Sequence, residues 1–328
     1  MESKRKWRWG VHRWIVLLLI ILGAVGVGYF APVQPHIQAA AEKLTEEPLF
    51  SLPVIGDFYF VNTFTSMLLT MAIIIGVSYA VKRALAKGEM VPRGIAGVME
   101  MAVEALYNMT EGTTGAKWAK KIFPWFATIL LVVLVANLIK LLPGYETIGI
   151  LHHSEHGYEV QQLTSGIATV VNTKAHEGEG YILTPFFRAQ ATDLNFTLSL
   201  ALISIFMVQV IGFQAQGPRY LEKFFNFRTL FSKPIFGFMD VIVGLLELIS
   251  EFAKIISFTF RLFGNMFAGF VLMAVIGVLI PTFAPAVVML FELFIGLIQA
   301  YVFGMLTMVF MAQATQGHGG GEEHAAAH

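Results

Sequence analysis

Apolar positions along this chain fall into long runs rather than short alternating patches. A helix needs about 20 apolar residues to cross a hydrocarbon core roughly 30 Å thick. Six stretches qualify as candidates: 14–30, 60–81, 122–142, 194–213, about 235–280 and 286–311. Charges interrupt the fifth. Opened by Pro234 and ended by Pro281, the fifth helix would run about 69 Å, and the sixth, from Pro285 to about Gln313, roughly 42 Å. Helices of that length must tilt, break or protrude into water. The tight turn from Pro281 to Pro285 makes them an antiparallel hairpin. Steep tilt would suit a protein that follows a curved partner surface.

Between Pro92 and Thr113 the period changes. Ile95, Val98, Met99, Ala102, Val103, Leu106 and Met109 recur at helical spacing, with Glu100, Glu104 and Asn108 on another face. This predicts an amphipathic helix on the cytoplasmic membrane surface. Periodicity alone also allows an ordinary loop helix.

Composition agrees with a lipid environment. Of 328 residues, 56% are hydrophobic and 13% charged, whereas soluble domains carry about 25% charged residues. A net charge of zero gives no sign of a nucleic-acid partner. The absence of cysteine excludes disulfides, thiolate metal sites and thiol nucleophiles. No P-loop, HExxH or GxSxG motif occurs, so neither nucleotide chemistry nor intramembrane hydrolysis has support. A stand-alone ion-coupled secondary transporter is the alternative class, although no internal repeat of the kind common there is evident.

Loop charges set an orientation. Lys82, Arg83, Lys87, Arg93, Lys117, Lys120 and Lys121 crowd the 82–121 loop, and Arg219, Lys223, Arg228 and Lys233 the 214–233 loop. Segment 31–59 has only Lys43, and 143–191 only Lys174 and Arg188. The basic N-terminus, the basic loops and the C-terminus are therefore expected in the cytoplasm, and the acidic, His-bearing 143–191 segment outside. Residues 1–41 read as a signal peptide or a retained signal anchor. Residues 42–313 read as one membrane domain, and 314–328 as a disordered tail.

Ionisable residues inside apolar helices are costly and usually functional. The fifth stretch carries Glu247, Glu251, Lys254, Ser257, Arg261 and Asn265. Glu247, Lys254, Ser257 and Asn265 fall near one helical stripe with Arg261, which continues at Gly264 and Ala268. In the sixth stretch Glu292 and Gln299 lie two turns apart, with Gly296 between them, on a face that can meet the Arg261 stripe. Blander readings stand beside these. Glu251 and Lys254 can pair at i, i+3 in the headgroup zone. Arg261 can snorkel or form a structural ion pair. Asn265 and Gln299 can simply join helices. Glu292, among Phe291, Leu293, Phe294 and Ile295, must be paired, wet or protonated. His152, His153, Glu155, His156 and His176 could bind metal, but such loops are more often solvated.

The run Phe260-Arg261-Leu262-Phe263-Gly264-Asn265-Met266-Phe267-Ala268-Gly269 resembles the signature of subunit a of F-type ATP synthases. The run Leu297-Ile298-Gln299-Ala300-Tyr301-Val302-Phe303 resembles that family's last-helix motif. Weaker matches are 137–144 and 192–198. The resemblance spans about 60–313. It implies an all-α integral membrane protein with five transmembrane or tilted helices besides the N-terminal segment. It implies a non-catalytic proton-channel subunit without cofactor, in a bacterial-type cell membrane. Its partners would be the c-subunit ring, the b-subunit peripheral stalk and the rest of the synthase. Arg261 would separate two offset half-channels. Asn265, Glu292 and Gln299 would line the external one, Ser257, Lys254 and Glu247 the cytoplasmic one, and Asp193 and Asn195 the external entrance. Many bacterial members carry an acid where this chain has Phe270. Glu292 is therefore expected to be the main external relay, fed by Asp193 or the loop histidines.

Overall fold

The computed structural model describes residues 40–316 except 46, 54–55, 87–93, 143, 155–156, 165–166, 175–179, 225–233 and 281–283, together with scattered positions in 13–25. The cleavable or anchoring character of 1–41 and the disorder of the tail beyond 316 lie outside the described residues.

Six helices form the described body: α1 (Asn62–Leu85), α2 (Ile95–Thr114), α3 (Ala116–Ile139), α4 (Leu194–Gln216), α5 (Pro234–Leu279) and α6 (Ala284–Thr315). All but α2 are long and apolar enough to cross a membrane. The all-α membrane class holds. The third apolar stretch extends back through Pro124 to Ala116, because the exposed Lys117, Lys120 and Lys121 need no apolar surroundings.

Small residues and polar contacts join these helices, as expected where lipid tails are as apolar as leucine. On α6, Gly296, Ala300 and Gly304 recur at four-residue spacing and are buried. A Cβ at Gly304 would stand 3.0 Å from Leu130 Cβ, and one at Gly296 3.2 Å from Asn137 Cβ, so α3 and α6 lie in close apposition. Asn137 Nδ2 donates to Gly296 O at 3.2 Å. The α1 helix is mostly exposed and docks by a buried polar stripe. Thr63 Oγ1 donates to Asp193 Oδ2 at 2.9 Å, Ser66 Oγ accepts the Arg188 N–H at 2.9 Å, and Thr70 Oγ1 accepts from Gln190 Nε2.

Two apolar clusters fill the centre. One gathers Ile122, Phe126, Met207, Val208, Met308 and Met311, and the other Ile129, Val133, Phe258, Leu262, Met266 and Phe303. Helix α2 forms where the 92–113 periodicity predicts it. Leu106 and Met109 pack on the core, while Val98, Met101 and Val103 stay exposed.

Two small sheets add to the helical body. A hairpin of β1 (Phe50–Leu52) and β2 (Gly56–Phe58) precedes α1. Between α3 and α4 lie β3 (Gly149–Ser154), β4 (Tyr158–Thr164), β5 (Ile167–Lys174) and β6 (Gly180–Pro185), in the order β3-β6-β4-β5. Reading 143–191 as a charged, His-bearing loop overlooked these strands, although Ile167 to Thr173 is rich in β-branched residues. A Cβ at Gly157 would strike Tyr181 N at 2.3 Å, so a glycine is required where that turn meets β6.

Candidate functional site

The antiparallel hairpin of α5 and α6 brings the two polar stripes together. Phe258 packs on Phe303 with ring centroids 4.8 Å apart, and two turns further along α5 Asn265 Nδ2 donates to Gln299 Oε1 at 2.8 Å. Beyond that, a Cβ at Gly269 would stand 2.5 Å from Glu292 Oε1. Contacts thus climb α5 as they descend α6, in the order the spacing of Glu292 and Gln299 predicts.

Arg261 lies within the apolar span Val241–Leu279 and is exposed. Its side chain has no ion-pair or hydrogen-bond partner among the described residues. Ser257, Gly264, Asn265 and Ala268 are exposed with it. Nothing lies within 4 Å of a Cβ placed on Gly264. Gln299 is buried and bonds Asn265 rather than Arg261, and its Nε2 has no partner. A fixed cation therefore sits on an open strip at the level of an otherwise apolar helix.

Toward the Pro234 end the charges close on one another. Glu251 is buried and takes Lys254 Nζ at 2.9 Å and Lys223 Nζ at 3.3 Å on Oε1. Gln209 Nε2 donates to its Oε2 at 3.0 Å, and Tyr220 OH donates to Gln209 Oε1 at 2.7 Å. Lys223 also pairs with Glu247. The i, i+3 pairing of Glu251 and Lys254 is realised, and Glu251 is the hub that joins the two expected residues Glu247 and Lys254. Ser257 stands outside this cluster.

Toward the turn between α5 and α6, Glu292 Oε2 pairs with Lys140 Nζ at 3.3 Å, with both side chains buried. Glu292 Oε1 is buried without a partner among the described residues. A cavity of about 200 Å³ opens beside the pair. Lys140, Tyr145, Glu146, Phe270, Met273 and Glu292 are among its lining residues. Glu146 Oε1 accepts the Ala189 N–H at 2.9 Å. Burial pushes the Glu146 carboxyl above its ordinary range; the Ala189 N–H and the Lys140 and Arg188 charges oppose this, and Glu292 adds to it. Arg188 packs over the Phe270 ring at 5.4 Å, so the position where an acid was expected is aromatic and in contact with a cation.

Asp193 caps α4. Its Oδ1 accepts the Asn195 N–H at 2.9 Å, and its Oδ2 accepts from Thr63. It is buried, whereas Asn195 is exposed. No group of three metal-ligand side chains occurs among the described residues. His152 Nε2 is buried without a partner, and His153 lies beside Tyr181; Glu155, His156 and His176 lie outside the described residues. Sequence reasoning placed Lys140 in a motif without a partner and passed over Glu146 altogether. The signal for Lys140 was a charge inside an apolar run; Glu146 follows a Pro-Gly turn and gave none.

The fold and these sites define a multi-pass helical membrane protein with buried ion pairs and, in Arg261, a cation left open within an apolar span. A family model described as ATP synthase A chain matches residues 64–312. The chain is 27% identical over 255 residues to ATP synthase subunit a of Helicobacter pylori strain P12, covering 77% of this chain and 90% of that protein. It is 26% identical over 266 residues to ATP synthase subunit a 1 of Syntrophotalea carbinolica, covering 81% and 91%. The chain belongs to the ATP synthase A chain family, and with it to the membrane sector of the ATP synthase complex.

Proposed function

We propose that the chain is the proton-translocating stator subunit of an F-type ATP synthase, with Arg261 dividing two offset half-channels. The observation that carries this is the exposed Arg261 without a partner, on a strip of α5 where Gly264 and Ala268 leave room for another helix. A c-subunit helix bearing a carboxylate fits that vacancy. Guanidinium does not deprotonate at accessible pH. It favours the ionised form of a passing carboxylate and so promotes proton release. It also repels a proton that would cross directly.

Asn265 and Gln299 then form the wall beside Arg261, and Glu292 is the external relay toward the turn. Ser257 is the open hydroxyl on the cytoplasmic side. Lys254 and Glu247, tied through Glu251 and Lys223, shape that side rather than offer open groups. Asp193 and Asn195 hold the external end of α4. The subunit performs no bond chemistry of its own. It works with the c-ring, a b-subunit stalk and the remaining synthase in the cell membrane, with its C-terminus cytoplasmic as the loop charges imply.

The whole complex carrying Arg261→Gln, reconstituted in liposomes, tests the reading. ATP-driven proton pumping and gradient-driven ATP synthesis should both fall to background while the complex assembles. Intact coupling in that variant would refute it. Coupled transport by the chain alone, without the ring, would instead favour a secondary transporter.

A further inference from the structure

We propose that Glu146 takes protons from the external water and hands them through the cavity to Glu292, and that Lys140 is the positioning residue that aims the Glu292 carboxylate. This rests on the reading of Glu292 as the external relay and names the group that loads it.

The cavity supplies the route. At about 200 Å³, it holds several waters at roughly 30 Å³ each. Glu146, Lys140 and Glu292 share its wall. Lys140 occupies Glu292 Oε2 at 3.3 Å and leaves Oε1 buried with no partner. A buried carboxylate oxygen without a partner is uncommon and needs an explanation. Here it offers a site for an arriving proton. Tyr145 also lines the cavity with its hydroxyl unpartnered among the described residues, but a phenol is far less acidic than a carboxyl. Both Asp193 oxygens accept hydrogen bonds, and Phe270 carries no exchangeable proton.

Glu146 has the chemistry for the task. One oxygen accepts the Ala189 N–H at 2.9 Å, which holds the side chain at the cavity wall. Lys140, Arg188 and Glu292 are the charges that act on it, and burial raises its affinity for a proton. In the step itself, protonated Glu146 releases its proton to the cavity water, and the water chain delivers a proton to Glu292 Oε1. The Glu146 carboxylate is then reprotonated from outside. No other bond forms or breaks.

A merely structural Glu146 would lower stability when replaced, and its raised proton affinity predicts the reverse. Its folded pKa lies above the ordinary 4.5, so the protonated form favours the fold. That contribution is complete below about pH 4.5 and is lost as pH rises through the folded value. Above the folded value the ionised group is a cost, and Glu146→Gln removes it while keeping an acceptor for Ala189.

The test measures passive proton conduction, ATP-driven pumping and thermal stability of the full complex in liposomes with E146Q, E146D and R261Q. For E146Q we expect conduction to fall about tenfold or more, with its pH inflection gone and the melting temperature unchanged or higher. E146D should keep at least half the conduction with a displaced pH profile. Conduction within twofold of the parent in E146Q, or a loss accompanied by a lower melting temperature, overturns the proposal. If E146Q does not assemble, the E146D profile decides, and an unmoved profile overturns it. Full coupling in R261Q would sink the wider reading instead, which keeps the two failures distinct.

Discussion

Glu251 and Glu292 are both 7% exposed and both pair with lysine, yet they are built oppositely. At Glu251 both oxygens are taken, Oε1 by Lys223 and Lys254 and Oε2 by Gln209. At Glu292 one oxygen is taken by Lys140 and the other faces Gly269 with no donor. Glu292 also borders a cavity of about 200 Å³, whereas Glu251 is closed in by its partners. Burial and charge therefore do not separate a knot from a relay. On the proposed reading, the unfilled valence beside a space for water does.

The sharpest way to break this comparison is to neutralise each carboxylate in turn. Glu292→Gln should lower proton transport by at least about a hundredfold, the low end for a positioned proton-transfer group. Glu251→Gln should leave transport by the assembled complex within about threefold. It should instead cost about 2 kcal/mol of stability, because two lysines lose a partner while keeping some solvent. Pumping and thermal melts on both variants decide it. Equal losses of transport would mean that the closed cluster also relays protons.

The lysines should differ in the same sense. Lys140→Met leaves Glu292 buried and unpaired, and breaking such a pair costs about 3–5 kcal/mol. Transport should fall about tenfold with it. The Lys140→Met/Glu292→Gln double variant should recover part of the stability, with a coupling of about 1–3 kcal/mol. Lys254→Met should cost less than about 1 kcal/mol, because Lys223 and Gln209 still hold Glu251. A cycle with no coupling between Lys140 and Glu292 would remove the ion pair from the account.

The helices were legible because lipid demands long apolar runs, and a run interrupted by Arg261 is readable as one. The hairpin register was legible too, since seven residues between Glu292 and Gln299 return to one face. Other parts were not. Strands β3 to β6 are six to eight residues long, and β-branched residues such as those of 167–173 were read past in a segment noted for its charges and histidines. Glu146 is one acid after a turn. Its importance comes from Ala189 and Lys140, which the fold brings to it and adjacency in sequence does not. Glu251 was seen, but its second lysine, Lys223, and its glutamine, Gln209, lie 28 and 42 residues away in the chain.

The smallest expected effect tests the geometry most directly. A Cβ on Gly269 would sit 2.5 Å from Glu292 Oε1, and Glu292 is the end of a flexible side chain that can move. Gly269→Ala should therefore push the carboxylate away from α5 without dismantling the hairpin. Alanine gains about 1 kcal/mol over glycine inside a helix, which offsets much of the displacement, so the melting temperature should barely change. Transport should still fall about two- to fivefold, because misplacing a reacting group is costly even when the fold is intact. Gly264→Ala makes the matched control, since nothing in this chain lies within 4 Å of its Cβ. It should spare the Glu292 step and act, if at all, through whatever helix faces Arg261. If Gly269→Ala transports protons at the parental rate, the orphan oxygen is not where the proton arrives, and Glu292 joins Glu251 as a structural pair.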